Sequence, residues 1–157
     1  MGSCYHTTWP YDHRKGSCVG HGPPPNGAED QAKQFRLSSI STLNTGSIQS
    51  LTTICSILED QPIVIGVLVY KNWFFPDVGE SGYISLPLPG MEPEGAHAIC
   101  LVGYELRKDT PGGGVFIFRN SWGRNWGSQS PFGRGYGSFP FEYLSMYHLH
   151  DGVVAFY

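Results

Sequence analysis

A histidine and an asparagine are the residues of this sequence whose types and surroundings best suit chemistry. His97 stands where a long loop meets an apolar run, and Asn120 ends the next apolar run. An amide oxygen that accepts from one imidazole nitrogen fixes the ring and leaves the other nitrogen free to act on a thiol. The pair therefore predicts a general acid/base with its orienting partner. Trp122, two residues after Asn120, can shield their hydrogen bond from water.

Two strands must bring this pair together. The apolar runs Ala98 to Leu106 and Val115 to Arg119 flank a Gly-rich segment, Asp109 to Gly114, which is typical of a hairpin turn. Because a tight turn sets the outer ends of two antiparallel strands side by side, we expect His97 and Asn120 to meet there.

A helix and a further strand precede this hairpin. The sequence predicts a helix over Ser47 to Asp60, with apolar residues at helical spacing and Pro62 as its stop. The β-branched run Ile63 to Tyr70 predicts a buried strand. The Pro- and Gly-rich stretch from Trp73 to Glu94 predicts a long loop, which in a compact domain is usually functional.

Shorter elements complete the predicted fold. We expect a helical turn over 29–33, an extended stretch over 35–43 and short extended pieces near 135–137 and 153–157. One main helix followed by several antiparallel strands predicts an α+β fold with a barrel-like sheet.

The first part of the chain predicts no regular structure. Residues 1–28 lack a hydrophobic period and contain Pro23-Pro24-Pro25 and Asn26-Gly27, so they are interpreted as an irregular arm. Residues 29–157 are interpreted as one domain.

The arm raises the alternative of a metal site. Its possible ligands are Cys4, His6, His13, Cys18 and His21. Cys18 and His21 have ligand-like spacing, but the other gaps match no regular zinc pattern. We therefore expect no metal and no cofactor.

The four cysteines do not suggest a disulfide scaffold. Cys55 falls on the apolar face of the predicted helix and Cys100 inside a strand, so both are predicted to be small buried hydrophobes. Cys4 and Cys18 could pair or remain free, and the compartment stays undetermined.

Composition excludes several classes of function. The chain has 157 residues, a formal charge of −3, 21 glycines and 12 prolines, which suits one turn-rich globular domain. With a pI near 6.0 the chain lacks the excess of positive charge that is typical of proteins that bind nucleic acid or an anionic membrane. We find no apolar run of the ~20 residues that a membrane helix needs, and the N-terminus lacks the pattern of a signal peptide.

The segments around His97 and Asn120 resemble two motifs of the papain family of cysteine peptidases. The family's histidine motif reads Gly-His-Ala-x-x-x-Val-Gly-Tyr and its asparagine motif Asn-Ser-Trp-Gly-x-x-Trp-Gly. Both occur here almost intact, in order, with Ala96 before the histidine as a minor departure. Together the two motifs are specific, although either alone would be weak.

The resemblance extends over most of residues 9–144. Trp9-Pro10-Tyr11 is similar to a Pro-Tyr segment of the family, and 58–66 to its helix and Gly-Pro-Val strand. Residues 135–144 are similar to the closing motif of bacterial-type members. Residues 128–132 look like an insertion that lengthens a cleft loop.

The resemblance implies a role for five residues. His97 would be the general acid/base, Asn120 its orienting partner and Trp122 the shield over their hydrogen bond. Trp126 would line the leaving-group side of the cleft. Gly66 matches a position in the main specificity pocket, where a glycine would leave room.

The family's Cys-bearing front half has no counterpart in this sequence. Its Gln and its Cys-Gly-Ser-Cys-Trp helix supply the oxyanion donors and the nucleophile. Cys4 lies in a similar Gly-Ser-Cys-Tyr string, but Pro10 would interrupt the helix that such a cysteine needs. We therefore expect Cys4 to lie far from His97.

The resemblance implies a fold and a function. The fold would be mostly the antiparallel β-barrel half of a papain-like peptidase, lacking the Cys-bearing helical half. The function would be hydrolysis of peptide bonds through a thioester, on a peptide or protein substrate, when a Cys-bearing half is supplied by the same precursor or by a separate chain. The alternative is an inactive, papain-derived binding or structural module. If a Cys-bearing half is to be supplied, the face bearing His97 and Trp126 is expected to be apolar, since much of that face packs on the helical half in the family.

Overall fold

A six-stranded sheet forms the body of the protein. The computed structural model describes residues 7–8, 23–36, 39–43 and 48–156. The sheet has the strand order β1-β6-β2-β3-β4-β5. Its strands are β1 (Ser39–Leu43), β2 (Ile63–Tyr70), β3 (Pro93–Leu106), β4 (Gly114–Arg119), β5 (Tyr136–Pro140) and β6 (His148–Phe156). The pairs β6–β2, β2–β3, β3–β4 and β4–β5 are antiparallel.

Four α-helices accompany the sheet in the described residues. They are α1 (Ala28–Gln34), α2 (Ile48–Leu58), α3 (Pro76–Ser81) and α4 (Phe141–Tyr147), and a short 3-10 helix spans Lys71–Phe74. Contacts divide the chain into two compact units, residues 1–40 with 156–157 and residues 41–155. Within the first unit the Thr8 hydroxyl donates to the Gln31 side chain at 2.7 Å. No helix in the described residues is long and apolar enough to cross a membrane.

Side chains alternate between the two faces of the central strands. In β2 the residues Ile63, Ile65, Val67 and Val69 are buried, whereas the residues between them are more exposed. This is the period of two that a strand with one face on the core must have. We call the buried side the core face and the other side the open face.

The core face packs against aromatic side chains. Trp73, Phe116, Phe118, Phe139 and Tyr143 are all fully buried. Trp73 Nε1 donates to the Tyr143 hydroxyl at 2.7 Å, and that hydroxyl donates to the Leu68 carbonyl at 2.8 Å. Burial raises the pKa of Tyr143 well above its usual range. The polar atoms that these rings bring into the core are thus paired with one another, as buried polar groups must be.

The prediction of one long loop between Trp73 and Glu94 was wrong. The segment begins within the 3-10 helix and then forms α3. Pro76 at the first helical position has the φ that a helix start requires, and Gly82 ends the helix in the left-handed conformation, φ 70°. Both signals are in the sequence, but a helix of six residues has too few apolar positions to show a period.

The other elements lie close to their predicted positions. The predicted strand over Ile63 to Tyr70 has the predicted bounds, and α2 begins and ends within two residues of the predicted helix. The strand predicted from Ala98 instead begins at Pro93, because the whole segment from Pro93 pairs with β2. Helix α4 was not predicted. The fold is α+β and papain-like, as the resemblance implies.

Candidate active site

The hairpin β3–β4 brings His97 and Asn120 into contact. His97 lies within β3, opposite Val67 of β2, and Asn120 directly follows β4. Their side chains form a hydrogen bond, with 2.9 Å between His97 Nε2 and Asn120 Oδ1. The predicted contact is therefore present. Since His97 lies inside a paired strand rather than at its entrance, its backbone is held more firmly than the sequence suggested.

The protonation of the pair follows from a second hydrogen bond. The Ser121 backbone N–H donates to Asn120 Oδ1 at 2.8 Å, so this atom must be the oxygen and not the amide nitrogen. An oxygen can only accept, and His97 Nε2 must therefore carry the proton. In the neutral ring Nδ1 then has the free lone pair, and the described residues provide no hydrogen-bond partner for it.

Aromatic rings enclose the imidazole. Trp122 stacks on His97 with 5.0 Å between ring centroids and 25° between planes. The buried Trp73 meets His97 edge-on at 6.2 Å. Phe74 stacks on Trp122 at 5.5 Å and is itself 60% exposed. Trp73 and Phe74 are site neighbours that sequence reasoning placed in a loop. These contacts form only when distant segments fold together, so no periodic pattern in the sequence predicts them.

Trp126 belongs to the core as much as to a cleft. It is 9% exposed, and its ring lies 5.8 Å from both Phe118 and Trp122. Its Nε1 is buried and has no hydrogen-bond partner among the described residues. The surface beside His97 is apolar because of Phe74 and Trp122, and Trp126 adds little to it. Its role beside the leaving group stays a prediction.

Gly66 lies on the open face of β2, opposite Ala98 of β3 and Leu149 of β6. A Cβ at this position would come within 3.2 Å of Leu149 Cβ. The space that the glycine leaves is thus bounded by Leu149. Its role as part of a specificity pocket stays a prediction.

The segment read as an insertion, 128–132, packs beside α3. The Gln129 backbone N–H donates to the Glu80 carbonyl at 2.9 Å, and the Gly127 N–H donates to the Gly79 carbonyl at 2.7 Å. The lengthened loop is therefore fixed by hydrogen bonds to the helix that the sequence failed to predict.

The described cysteines are poor nucleophiles. Cys55 and Cys100, which were predicted to be buried, are half-buried. Burial nevertheless raises the pKa of both thiols, with a further upward contribution from Glu59 at Cys55. A nucleophilic thiol needs the opposite shift. Cys4 and Cys18 lie outside the described residues.

A metal centre has no support in the described part of the chain. No group of three or more His, Cys, Asp or Glu side chains there could hold a metal ion. The possible ligands of the arm, Cys4, His6, His13, Cys18 and His21, lie outside the described residues.

The sheet, the His97–Asn120 hydrogen bond and the stacking of Trp122 on His97 together indicate a class of protein, the papain-like cysteine proteases. The model of the papain family of cysteine proteases matches residues 1–137, and the chain belongs to this family.

Two curated proteins and one solved structure illustrate the relationship. An uncharacterized peptidase C1-like protein of Acanthamoeba polyphaga mimivirus is 32% identical over 90 residues, which are 57% of this chain and 26% of that protein. The viral cathepsin of Spodoptera litura multicapsid nucleopolyhedrovirus is 53% identical over 36 residues, 23% of this chain and 10% of that protein. The crystal structure of xylellain, a cysteine protease from Xylella fastidiosa, has a TM-score of 0.70 at 26% identity. That match covers 99% of this chain and 57% of xylellain. The chain thus spans only part of each relative.

Proposed function

We propose that this chain is the histidine-and-asparagine half of a papain-family cysteine peptidase, which hydrolyses peptide bonds when a Cys-bearing half is joined to it or bound to it. The observation that carries the proposal is the hydrogen bond from His97 Nε2–H to Asn120 Oδ1, with Oδ1 also held by the Ser121 N–H. This arrangement holds the lone pair of Nδ1 ready for a proton.

The chemistry would begin with a thiol of the companion half. His97 Nδ1 takes the thiol proton, which gives a thiolate and an imidazolium, and Asn120 keeps the ring in place while it is charged. The thiolate attacks the carbonyl carbon of the peptide. As the C–N bond breaks, the imidazolium gives its proton to the leaving amine, and a thioester remains.

Hydrolysis of the thioester returns the site to its starting state. His97 Nδ1 takes a proton from water, and the resulting hydroxide adds to the thioester carbonyl. The sulfur leaves as the carboxylic acid forms, and the imidazolium returns its proton to the thiolate, which restores the thiol and the neutral ring. Trp122 stacks on His97 and Phe74 stacks on Trp122, and these rings would strengthen the His97–Asn120 hydrogen bond by excluding water from it.

A chimera tests the proposal. The part of the xylellain chain outside the structural match would be joined ahead of this chain and assayed with a fluorogenic peptide. We expect activity, and a loss on the order of 10⁴-fold or more in His97→Ala, because the base of such a site acts as a unit with the nucleophile. For Asn120→Ala we expect a loss of roughly 10²-fold, since a misplaced catalytic group costs about that much.

Asn125→Ala provides a matched control. Asn125 is exposed and lies in the loop that follows Asn120, so this variant should keep the activity of the parent. A folded chimera with no activity would favour the inactive papain-derived module. Activity that persists in His97→Ala would contradict the role proposed for His97.

A further inference from the structure

The indole ring of Trp73 contacts both His97 and the ring that covers it. It meets the imidazole edge-on, with 6.2 Å between centroids and 89° between planes, and it meets Trp122 at 5.9 Å and 69°. Trp122 itself stacks on His97 at 5.0 Å. Because Trp73 is fully buried, its ring forms the inner wall of the space in which the imidazole lies. In a close-packed interior, a change in the pose of this indole would therefore move His97 or leave it room to move.

One hydrogen bond determines the orientation of that indole. Trp73 Nε1 donates to the Tyr143 hydroxyl at 2.7 Å, and this bond is buried. An indole N–H can only donate, and a buried donor without a partner destabilises the fold. If the ring were turned about its Cβ–Cγ bond, Nε1 would lose this partner. The hydroxyl of Tyr143 thus favours one orientation of Trp73 over the others.

The same hydroxyl connects Trp73 to the strand that pairs with His97. Tyr143 donates to the Leu68 carbonyl at 2.8 Å. Leu68 lies in β2, where the preceding residue, Val67, is paired with His97 of β3. Strand β2 therefore restrains His97 twice. It restrains the backbone by strand pairing, and the side chain by way of Tyr143 and Trp73.

The hydroxyl of Tyr143 keeps both hydrogen bonds over a wide range of pH. Tyr143 is fully buried, and burial raises the pKa of its hydroxyl well above the usual range. The group stays protonated at neutral and moderately alkaline pH, so it can accept from Trp73 and donate to Leu68 throughout. A phenylalanine ring in its place would fill the same space and do neither.

We infer that Tyr143 is a positioning residue for the general base, which acts through Trp73 to hold the His97 ring in the orientation that bonds Asn120. The inference rests on the proposed function for what the ring then does, whereas the restraint itself lies within this chain. The imidazole is held by Asn120 through the hydrogen bond, by Trp122 on its face and by Trp73 at its edge. Removal of the Tyr143 hydroxyl should loosen the edge contact.

Proton exchange at His97 tests this restraint without a companion half. The Nε2 proton, which bonds Asn120 Oδ1, would be followed by NMR at pH 8 in the full chain labelled with 15N-histidine. In Tyr143→Phe we expect this proton to exchange with water about tenfold faster than in the parent, because a looser ring breaks its hydrogen bond more often.

Phe116→Leu provides the matched control. Phe116 is as buried as Tyr143, but its ring packs against Phe139 and Phe141 rather than against Trp73. This variant should lose stability in urea denaturation and keep the exchange rate of the histidine proton within about twofold. Equally fast exchange in both variants would show that the effect follows from lost stability, and would overturn the positioning role.

Kinetics of the active chimera test the same restraint during the reaction. Tyr143→Phe should lower kcat about tenfold and leave KM within about twofold, because the orientation of a catalytic group affects the transition state more than substrate binding. The ratio of parent to variant should stay constant from about pH 5 to about pH 9, since the Tyr143 hydroxyl is protonated throughout. Trp73→Phe keeps a ring but removes the N–H. In that background Tyr143→Phe should have little further effect, because the donor through which it acts is gone.

The outcomes separate this inference from the proposed function. An active chimera whose kcat is unchanged in Tyr143→Phe overturns the positioning role and leaves the function standing. An inactive chimera counts against the function, and the exchange of the His97 proton in the isolated chain then decides the positioning role by itself. A His97 proton that exchanges too fast to be observed in the parent would mean that its bond to Asn120 is not held, and would overturn the inference. Additive effects of Tyr143→Phe and Trp73→Phe on kcat would show that Tyr143 does not act through Trp73.

Discussion

The two faces of one sheet differ sharply across three neighbouring strands. The row Ile63–Leu101–Phe118 on the core face is fully buried. The next row along the same strands, Val64–Cys100–Arg119, has a half-exposed valine, a half-buried thiol and an exposed arginine. Both rows have equivalent backbone pairing, so the difference lies in what covers them.

This difference shows where the chain completes its own packing and where it leaves a surface open. The core face is completed by residues of the chain itself, mainly the aromatic rings around Trp73. The open face has no such cover among the described residues, and a cavity on it is lined by Arg119, Arg124 and Arg134. We therefore expect mutations on the core face to change stability, and mutations on the open face to change association or reactivity.

Truncation of the core row should have the largest effect. Phe118→Ala should lower the free energy of unfolding by about 3–5 kcal/mol, because it leaves a cavity among Trp73, Trp126 and Phe139. Arg119→Ala, the next residue and on the open face, should change it by no more than about 0.5 kcal/mol. Urea denaturation measures both. Equal losses would show that the open face is as tightly packed as the core face.

One substitution made on each face should sharpen the contrast. Val67 and Val64 lie on the same strand, 0% and 45% exposed respectively. Exchange of valine for threonine keeps the shape and the strand preference but adds a hydroxyl. Val67→Thr should cost about 1–3 kcal/mol because the hydroxyl is buried, and Val64→Thr no more than about 0.5 kcal/mol. A large loss at Val64 in thermal or urea unfolding would mean that the open face is already covered in the isolated chain.

The hydrogen bonds that Tyr143 makes inside the core should contribute to the stability of the fold. The Tyr143 hydroxyl holds Trp73 and Leu68, so Tyr143→Phe should cost about 1–3 kcal/mol at neutral pH. Tyr83→Phe, at an exposed tyrosine, should cost little.

The raised pKa of Tyr143 also predicts how the free energy of unfolding changes at alkaline pH. Burial raises the pKa of Tyr143 above the ordinary value of 10.0, so above pH 10 the unfolded chain loses this proton while the folded chain keeps it. The stability from this group is therefore complete below that pH and is lost as pH rises further. Unfolding free energies measured up to pH 11 should fall less steeply in Tyr143→Phe than in the parent. Parallel curves would contradict the burial of this hydroxyl.

The smallest effect concerns the thiol on the open face. Burial raises the pKa of Cys100, and the positive charge of Arg119 acts against that rise. Arg119→Gln should therefore raise the pKa of Cys100 further and slow its alkylation at pH 8 a few-fold, because the thiolate is the reacting form. Cys55 labelling should not change. Faster labelling of Cys100 would mean that Arg119 mainly restricts access to it.

The sequence by itself determined the elements with a clear period and the pair that they carry. The β-branched run Ile63 to Tyr70 was enough to predict a buried strand, and the hairpin around Asp109 to Gly114 was enough to place His97 beside Asn120. These features depend on local spacing and on the pairing of neighbouring segments. Both can be recognised from the amino-acid sequence alone.

Only the tertiary structure decided which side chains surround that pair and which arginines share a cavity with Asn120. Trp73 reaches His97 through the core, and Ser121 settles the proton on Nε2 through one backbone hydrogen bond. Arg119 and Arg134 share a cavity because β4 and the following loop fold back together. Such contacts join residues that are far apart or that have no periodic pattern, so nothing in the local sequence distinguishes them from surface residues.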